Sequence, residues 1–387
     1  MEPAWSAQEE LRIFRHAVRG FLATEFVPRL DAWRAQGIVD RQAWTAAGAM
    51  GLLLTEHDPD LGGGGGSFAT EAIVYEELAR IGDTSFCKGV HECCAGYIRA
   101  YGTPEQQRRW LPDLAAGRRI GAIAMTEPGN GSDLKAVRTT ARPQGDHYLV
   151  SGSKTFISNG ASADLILLVA TVDPAAGAKG VTLLVLETDD LPGFRRGRRL
   201  AKMGQCGQDT SELFFDDMIV PATNRLGAAD GLGFGQLMSQ LAYERLIIAV
   251  QAVTFAERAL ALAVDHAMTR ETFGRPLIDH QALRFALADA RTEAHTGRVL
   301  VDDCIARIIE GRLDAETAAM AKLWTTEMQG RVVDACLQVF GGAGYMAEHP
   351  LAQMYVDARA QRIYAGSNEV MKEIVARGLA TLKGSPQ

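Results

Sequence analysis

The hydrophobic periodicity of this chain changes twice along its length, and that change limits the folds open to it. Up to about residue 118, apolar side chains recur at helical spacing. Between about 119 and 227 the segments are short and β-rich, with Gly, Asn, Asp or Pro at their ends. Long helical patterns return from about 228. We therefore predict an α+β protein with a helical domain (1–118), a β domain (119–227) and a second helical domain (228–387).

The middle segment contains four patterns typical of strands, at 147–158, 165–172, 181–186 and 212–220. Short strands at this spacing predict a compact sheet pair or barrel. In the first domain, a glycine run at 62–66 is not followed by Gly-Lys-Ser/Thr. We therefore expect a flexible loop before a helix there, and not a phosphate-binding loop.

Composition excludes several classes of protein. The chain has 387 residues, 47% of them hydrophobic and 22% charged, as in ordinary globular enzymes. Its net charge of −7 argues against binding nucleic acid or an anionic membrane through bulk charge. No uninterrupted apolar run approaches the roughly 20 residues of a membrane span. The polar, acidic start at 1–10 resembles neither a secretory signal nor a transit peptide, so we expect a cytoplasmic protein.

Cysteine and histidine are scattered without the spacing of a metal site. None of the six cysteines forms a C-x-x-C pair, and the eight histidines show no ligand spacing beside them. We therefore predict neither a metal nor a disulfide. The cysteines are Cys87, Cys93, Cys94, Cys206, Cys304 and Cys336.

The segment 122–133 (AIAMTEPGNGSD) is an apolar run that breaks into a turn of small residues. Pro128 restricts one backbone angle there, while Gly129 and Gly131 permit others. Such a turn exposes backbone N–H groups and the hydroxyls of Thr126 and Ser132. A flat heterocycle such as a flavin can use these donors, and an ordinary exit from a strand would look the same.

Glu244 stands where helical periodicity calls for leucine. On a helix it shares one face with Leu237, Leu241, Ile247 and Ile248. Burial raises the pKa of a carboxyl, which suits it to removing a proton from carbon. The alternative is a partly exposed glutamate paired with a cation of a neighbouring helix.

Arg245 follows Glu244 but points about 100° round the helix. It is therefore not placed to neutralise the carboxylate. It is free to meet another anion or an amide, or simply to face solvent.

Taken together, these motifs resemble the acyl-CoA dehydrogenase family over almost the whole chain. They follow one another in the family's order and spacing. They are 101–107 (YGTPEQQ), 110–112 (WLP), 122–133, 152–160 (GSKTFISNG), 208–217 (QDTSELFFDD), 270–274 (RETFG), 338–342 (QVFGG) and 364–369 (YAGSNE). The resemblance implies an N-terminal helical domain, a middle β-barrel or sandwich and a C-terminal four-helix bundle.

The resemblance also implies bound FAD, held between the β domain and the C-terminal helices. Some contacts would come across a subunit boundary, so we expect at least a dimer, and the family's homotetramer is the assembly that the resemblance implies. Arginine suits the pyrophosphate because its planar fork donates two hydrogen bonds. The implied cofactor residues are Ile123, Ala124, Met125, Thr126, Gly131, Ser132, Phe156, Ile157, Ser158, Arg270, Phe273, Gln281, Gln338, Gly341, Gly342, Ser367, Asn368 and Glu369. Phe156 stands where the family usually has tryptophan.

The implied base is Glu244. Most members carry a glutamate just after the tyrosine of the late motif, but here that position is Ala365. The long-chain and isovaleryl members instead carry it on the helix that begins the C-terminal domain, where Glu244 lies. The remaining substrate contacts implied by the resemblance are Ser132, Ala242, Tyr243, Arg245, Tyr364, Ala365 and Gly366.

The expected reaction converts an acyl-CoA thioester to a trans-2-enoyl-CoA. Glu244 would take the α-proton while the β-hydrogen leaves as hydride to the flavin N5. The backbone N–H of Ala365 and a ribityl hydroxyl would stabilise the charge on the thioester oxygen. An electron-transferring flavoprotein is the expected electron acceptor. Alternatives are an acyl-carrier-protein dehydrogenase, an oxygen-using flavin oxidase or monooxygenase, and a cofactor-free helical binding protein. Straight, branched and terpenoid-like acyl groups all remain open.

Overall fold

A computed structural model describes residues 3–379. The N-terminal domain contains six helices, and polar side chains cap several of them. Ser67 caps α4, and Thr103 with Gln106 forms a capping box at α6. The helices are α1 (Glu9–Phe21), α2 (Leu30–Gln36), α3 (Arg41–Ala49), α4 (Phe68–Ile81), α5 (Lys88–Tyr101) and α6 (Pro104–Ala115).

Seven strands form one curled sheet in the middle domain. The order β1-β4-β2-β3-β7-β6 is mostly antiparallel, and β5 pairs with β4 on a branch. The strands are β1 (Gly121–Ala124), β2 (Thr140–Gln144), β3 (His147–Ser158), β4 (Leu165–Thr171), β5 (Val181–Glu187), β6 (Phe194–Arg199) and β7 (Thr210–Pro221). Sequence analysis named β3, β4, β5 and β7 as separate strands but not β2 or β6.

The C-terminal domain is built round one long helix. α7 (Gly233–Thr269) packs against α8 (Gln281–Ile309) and α9 (Ala315–Phe340). A short hairpin of β8 (Glu271–Thr272) and β9 (Arg275–Pro276) joins α7 to α8, and α10 (Pro350–Ala358) and α11 (Asn368–Gly378) complete the domain. α7 is long and apolar enough to cross a membrane by length and composition alone. Of its most apolar window, however, 67% is buried within the protein.

Two helices of the first domain lie between two hydrophobic cores. α4 packs Ile73 and Leu78 into the core shared with the sheet, and Ala72 and Tyr75 into the core of the C-terminal bundle. α5 does the same. Ile123 of β1 packs against both cores. The three domains therefore meet around β1, α5 and α7.

The glycine run at 62–66 is more ordered than the sequence suggested. The amides of Gly63 to Gly66 donate to the carbonyls of Leu54, Thr55, His57 and Asp58 at 2.8–3.1 Å. A Cβ on Gly63 would lie 2.4 Å from the carbonyl oxygen of His57. The expectation of a flexible loop is therefore replaced by a tightly packed turn, because only glycine fits so close to the backbone.

Candidate active site

Glu244 points from α7 toward α5 and not into bulk solvent. The Tyr97 hydroxyl donates a hydrogen bond to Glu244 Oε1 at 2.9 Å, and Tyr97 itself is fully buried. Burial raises the pKa of Glu244, while the Tyr97 hydrogen bond and the positive charge of Arg245 oppose that rise. No salt bridge reaches Glu244 among residues 3–379. The carboxylate is thus held by one neutral donor, an arrangement suited to accepting a proton.

Arg245 lies on the buried side of α7. Its side chain makes no hydrogen bond within residues 3–379, and its Nε is buried without a partner. Burial lowers its pKa, and the Glu244 charge opposes that effect. The pKa of buried Lys322 on α9 is lowered to about 8, chiefly by burial and also by the positive charge of Arg245. The sequence interpretation needs one adjustment: Arg245 does not pair with Glu244, yet its charge acts on it.

The segment 364–367 forms a strained turn before α11. Ala365 has φ of 51° and Gly366 has φ of 84°, and the left-handed region is costly for alanine. Lys322 Nζ donates to the Gly366 carbonyl at 2.8 Å and to Asn368 Oδ1 at 2.9 Å, and these two hydrogen bonds fix the turn. The Ala365 N–H has no acceptor in the described part of the chain. It is a backbone donor available to a ligand.

The turn after β1 is fixed by a buried lysine of β3. Lys154 Nζ donates to the Met125 carbonyl at 3.0 Å and to Glu127 Oε1 at 2.9 Å. Glu127 also accepts from the amides of Arg138 and Thr139 at 2.8 Å. The strand end at Met125 and Thr126 is therefore held rigidly where the domains meet.

Next to this lysine the β3–β7 pairing shifts, and Phe156 stands out from the sheet. Its φ is 58° and its side chain is 67% exposed. The hydroxyls of Thr126 and Ser158 have no hydrogen-bond partner within residues 3–379. An exposed aromatic ring beside unused hydroxyls fits the edge and face of a flavin ring.

A second group of predicted cofactor residues lies at the far end of the C-terminal bundle. Phe273 is 97% exposed at the tip of the hairpin that follows α7, and Arg270 precedes it. His266 stacks on Phe340 at 4.2 Å between ring centroids, which brings the end of α9 to the same place. At Gly341 and Gly342 an added Cβ would meet nothing within 4 Å. Gln281 and Gln338 are exposed. Gln281 begins α8, and Gln338 lies in the last turn of α9.

These two groups are far apart within one chain. From Glu244 to Thr269, α7 advances roughly 38 Å at 1.5 Å per residue. The Glu244 side of the site and the hairpin group therefore lie at opposite ends of α7.

Several predicted residues have side chains committed elsewhere. Ala124 and Ile157 lie in the core of the sheet, so only their backbones are available to a cofactor. Asn368 is buried and donates to Thr326 Oγ1 at 3.0 Å and Glu327 Oε1 at 2.8 Å. Ser367 caps α11.

The other predicted residues keep accessible surface. Tyr243 packs edge-on against Phe68, with ring centroids 5.3 Å apart. The remaining side chains or backbones with accessible surface are Ile123, Gly131, Ser132, Ala242, Tyr364 and Glu369.

Sequence reasoning missed the three residues that support this site. All three are fully buried: Tyr97 donates to Glu244, Lys154 fixes the turn after β1, and Lys322 fixes the turn at 364–367. The lysine of motif 152–160 was the strongest signal available, because a lysine amid strand residues demands a partner. Tyr97 carried no signal, since a tyrosine on an apolar helical stripe is ordinary.

The three domains match three family descriptions in the same order. Residues 8–118 match "Acyl-CoA dehydrogenase, N-terminal domain", 122–218 match the middle domain and 231–380 the C-terminal domain. The long-chain specific acyl-CoA dehydrogenase of Mus musculus is 41% identical over 372 residues, covering 95% of this chain and 86% of that protein.

Solved structures agree with these matches. Acyl-CoA dehydrogenase from Geobacillus kaustophilus superimposes with a TM-score of 0.95 at 43% identity, covering 98% of this chain and 100% of that one. A glutaryl-CoA dehydrogenase from Mycobacterium smegmatis in complex with FADH2 gives 0.90 at 26%, covering 97% and 95%. With its three domains matched in order and its fold shared throughout, this chain belongs to the acyl-CoA dehydrogenase family.

Proposed function

We propose that this protein dehydrogenates an acyl-CoA thioester to the trans-2-enoyl-CoA, with Glu244 as the base and FAD as the hydride acceptor. The observation that carries the proposal is the placement of Glu244. Its carboxylate lies at the junction of the three domains, with a raised pKa, and accepts a hydrogen bond from Tyr97. The position after Tyr364 holds alanine, so no other acid stands at the late turn.

The protein groups contribute binding, orientation and proton transfer. Glu244 accepts the α-proton at Oε1 or Oε2, and the raised pKa makes it a stronger base than an exposed glutamate. The Ala365 N–H is free to donate to the thioester oxygen, where negative charge develops. One such donor is worth about 2.7–4 kcal/mol of barrier in other enzymes. Lys322 keeps that donor aimed by holding the Gly366 carbonyl.

FAD fits the residues present on two grounds. Phe156 and the hydroxyls of Thr126 and Ser158 offer a face and donors near the junction, and Arg270 with Phe273 offers a second contact region in another subunit. When bound, the flavin supplies the redox chemistry by accepting the hydride. The separation along α7 supports at least a dimer, and a homotetramer is our proposal for the assembly.

Two further points belong to the same proposal. We take an electron-transferring flavoprotein as the electron acceptor, on the strength of the family resemblance. The 41% identity to a long-chain specific enzyme makes long-chain acyl-CoA, as in fatty-acid β-oxidation, the first substrate to test. Branched acyl groups come next.

The decisive experiment is anaerobic mixing of the purified flavoprotein with a panel of acyl-CoA thioesters, followed by flavin absorbance. We expect bleaching with at least one thioester. Glu244→Gln should retain FAD but not bleach, and Glu257→Gln, on the same helix but away from the site, should behave as wild type. Normal bleaching by Glu244→Gln would reject the base.

The other outcomes separate the alternatives. Bleaching with acyl groups on carrier protein but not on CoA would favour the carrier-protein enzyme. Oxygen consumption with peroxide release, unaffected by an electron-transferring flavoprotein, would favour the oxidase. A colourless protein that takes up no added FAD would favour a binding protein.

A further inference from the structure

A small polar cavity lies behind Glu244, between α5, α7 and the loop after α3. Its volume is about 20 Å³, enough for one water molecule. The exposed Arg99 is one of its lining residues, and Arg99 Nη1 donates to the Glu56 carbonyl at 3.2 Å. The lining residues are Glu56, His57, Glu92, Cys93, Gly96, Tyr97, Arg99, Gln240, Tyr243 and Glu244.

Two buried polar atoms of the cavity wall lack partners. His57 Nδ1 and Glu92 Oε2 make no hydrogen bond among residues 3–379, and these side chains are 2% and 1% exposed. Buried polar groups are nearly always satisfied, and a water in a polar cavity usually makes about three hydrogen bonds. The cavity therefore has both the size and the partners to hold a water molecule.

The acids of the wall differ in their access to solvent. Glu92 is tied to buried Lys88 at 2.8 Å and to the Leu54 amide at 2.8 Å. Glu56 is only partly buried, and burial raises the pKa of its carboxyl. Glu56 is thus the acid that can exchange protons with solvent at the mouth of the cavity.

We propose that this cavity is the proton exit of the active site, with Glu56 as the outer acceptor. The inference rests on the proposed function, in which Glu244 takes the α-proton. The bound thioester and cofactor would cover the front of Glu244, so the proton needs another way out. The O–H bond of protonated Glu244 breaks toward the cavity water, that water gives a proton to the Glu56 carboxylate, and Glu56 releases it to solvent.

Gly96 is the lining residue at which larger side chains can be introduced to narrow the cavity. It lies within α5, lines the cavity, and an added Cβ would have no atom within 4 Å. Gly96→Ala and Gly96→Val therefore add side-chain volume at the cavity wall without a backbone clash. Gly20 in α1 also has nothing within 4 Å of an added Cβ, so Gly20→Ala and Gly20→Val are matched controls for the helical substitution.

The experiment follows deuterium entry at the α-carbon of a 3-thia-acyl-CoA in D2O by mass spectrometry. This analogue has an α-proton but no β-hydrogen to lose as hydride. The parent acyl-CoA is used separately to measure flavin bleaching. We expect the ratio of exchange to bleaching to fall on the order of tenfold in both Gly96 variants, below the full contribution of a proton-transfer group. Glu56→Gln should act likewise, and Glu56→Asp should restore part of the exchange.

Each other outcome overturns a defined statement. If Gly96 variants match the Gly20 controls, or if Glu56→Gln exchanges normally, the exit does not run through this cavity. If the Gly96 variants lose exchange and bleaching equally, the cavity belongs to the acyl-binding site instead. If the wild type neither bleaches nor exchanges with any thioester, the dehydrogenase proposal itself fails.

Discussion

Replacing Tyr97 by phenylalanine removes the hydrogen bond that the described part of the chain donates to the Glu244 carboxylate. The hydroxyl lies 2.9 Å from Oε1 and lowers the pKa that burial has raised. A hydrogen bond to a charged group contributes about 1.5–3 kcal/mol, and water in the adjacent cavity would return part of it. A net loss of about 1.4 kcal/mol corresponds to a rise of about one pKa unit for Glu244.

The sign follows from the role of the base. In the proposed reaction only ionised Glu244 accepts the α-proton, so activity should be lost as the pH falls through its pKa. Because that pKa is already above the ordinary glutamate value of 4.5, the wild type should lose activity at a higher pH than an exposed glutamate would. In Tyr97→Phe this acid limb should move up by about one further unit. The plateau at high pH should stay within about threefold.

The assay is anaerobic stopped-flow bleaching of the flavin against pH. Tyr101→Phe is the matched control, because Tyr101 lies one turn later on α5 and its hydroxyl donates to the Gln236 carbonyl at 3.3 Å instead. Its acid limb should coincide with that of the wild type. An unshifted limb in Tyr97→Phe, or equal shifts in both variants, would refute Glu244 as the titrating base.

Three further predictions test the parts that support the site. Lys154→Met should lower the free energy of unfolding in urea by about 3–5 kcal/mol, because Glu127 stays buried without its positive partner. Adding Glu127→Gln should recover part of this loss, and a loss below about 1 kcal/mol would contradict the pairing. Ala365→Gly should raise the melting temperature, because glycine relieves the strain of the left-handed backbone conformation. The rate of flavin bleaching should stay within about twofold because the backbone N–H remains. An inactive variant would show that the methyl group matters. Phe273→Ala should leave the free energy of unfolding within about 0.5 kcal/mol of the wild-type value, because the residue is 97% exposed. It should nevertheless reduce the amount of FAD bound per chain after gel filtration. Full retention of FAD would argue against a shared cofactor site.

The strands show where sequence patterns suffice. β3 has the bounds that alternation predicts, His147–Ser158, because one of its faces packs into the core of the sheet. β6 (Phe194–Arg199) carries four arginines and has exposed positions along most of its length, so no hydrophobic pattern marks it. It is a strand because β7 supplies hydrogen-bond partners for its backbone.

The candidate site likewise has one part that the sequence predicts and another that it does not. Glu244 can be singled out from the sequence, because a carboxylate on an apolar helical stripe breaks a local pattern of neighbouring residues. Its hydrogen bond to Tyr97 cannot be, since the two residues are 147 positions apart and meet only where α5 packs on α7. The hold of Lys322 on Gly366 likewise joins residues 44 positions apart.

Local periodicity by itself determined the order of helical and β domains and placed an acid among leucines and isoleucines, since both depend on residues within a few turns of each other. Only the tertiary structure decided which donor holds that acid, which lysines fix the two turns and which cavity lies behind it. Those contacts arise from packing between elements distant in the chain, and the free energy that selects them comes from burying those elements against one another.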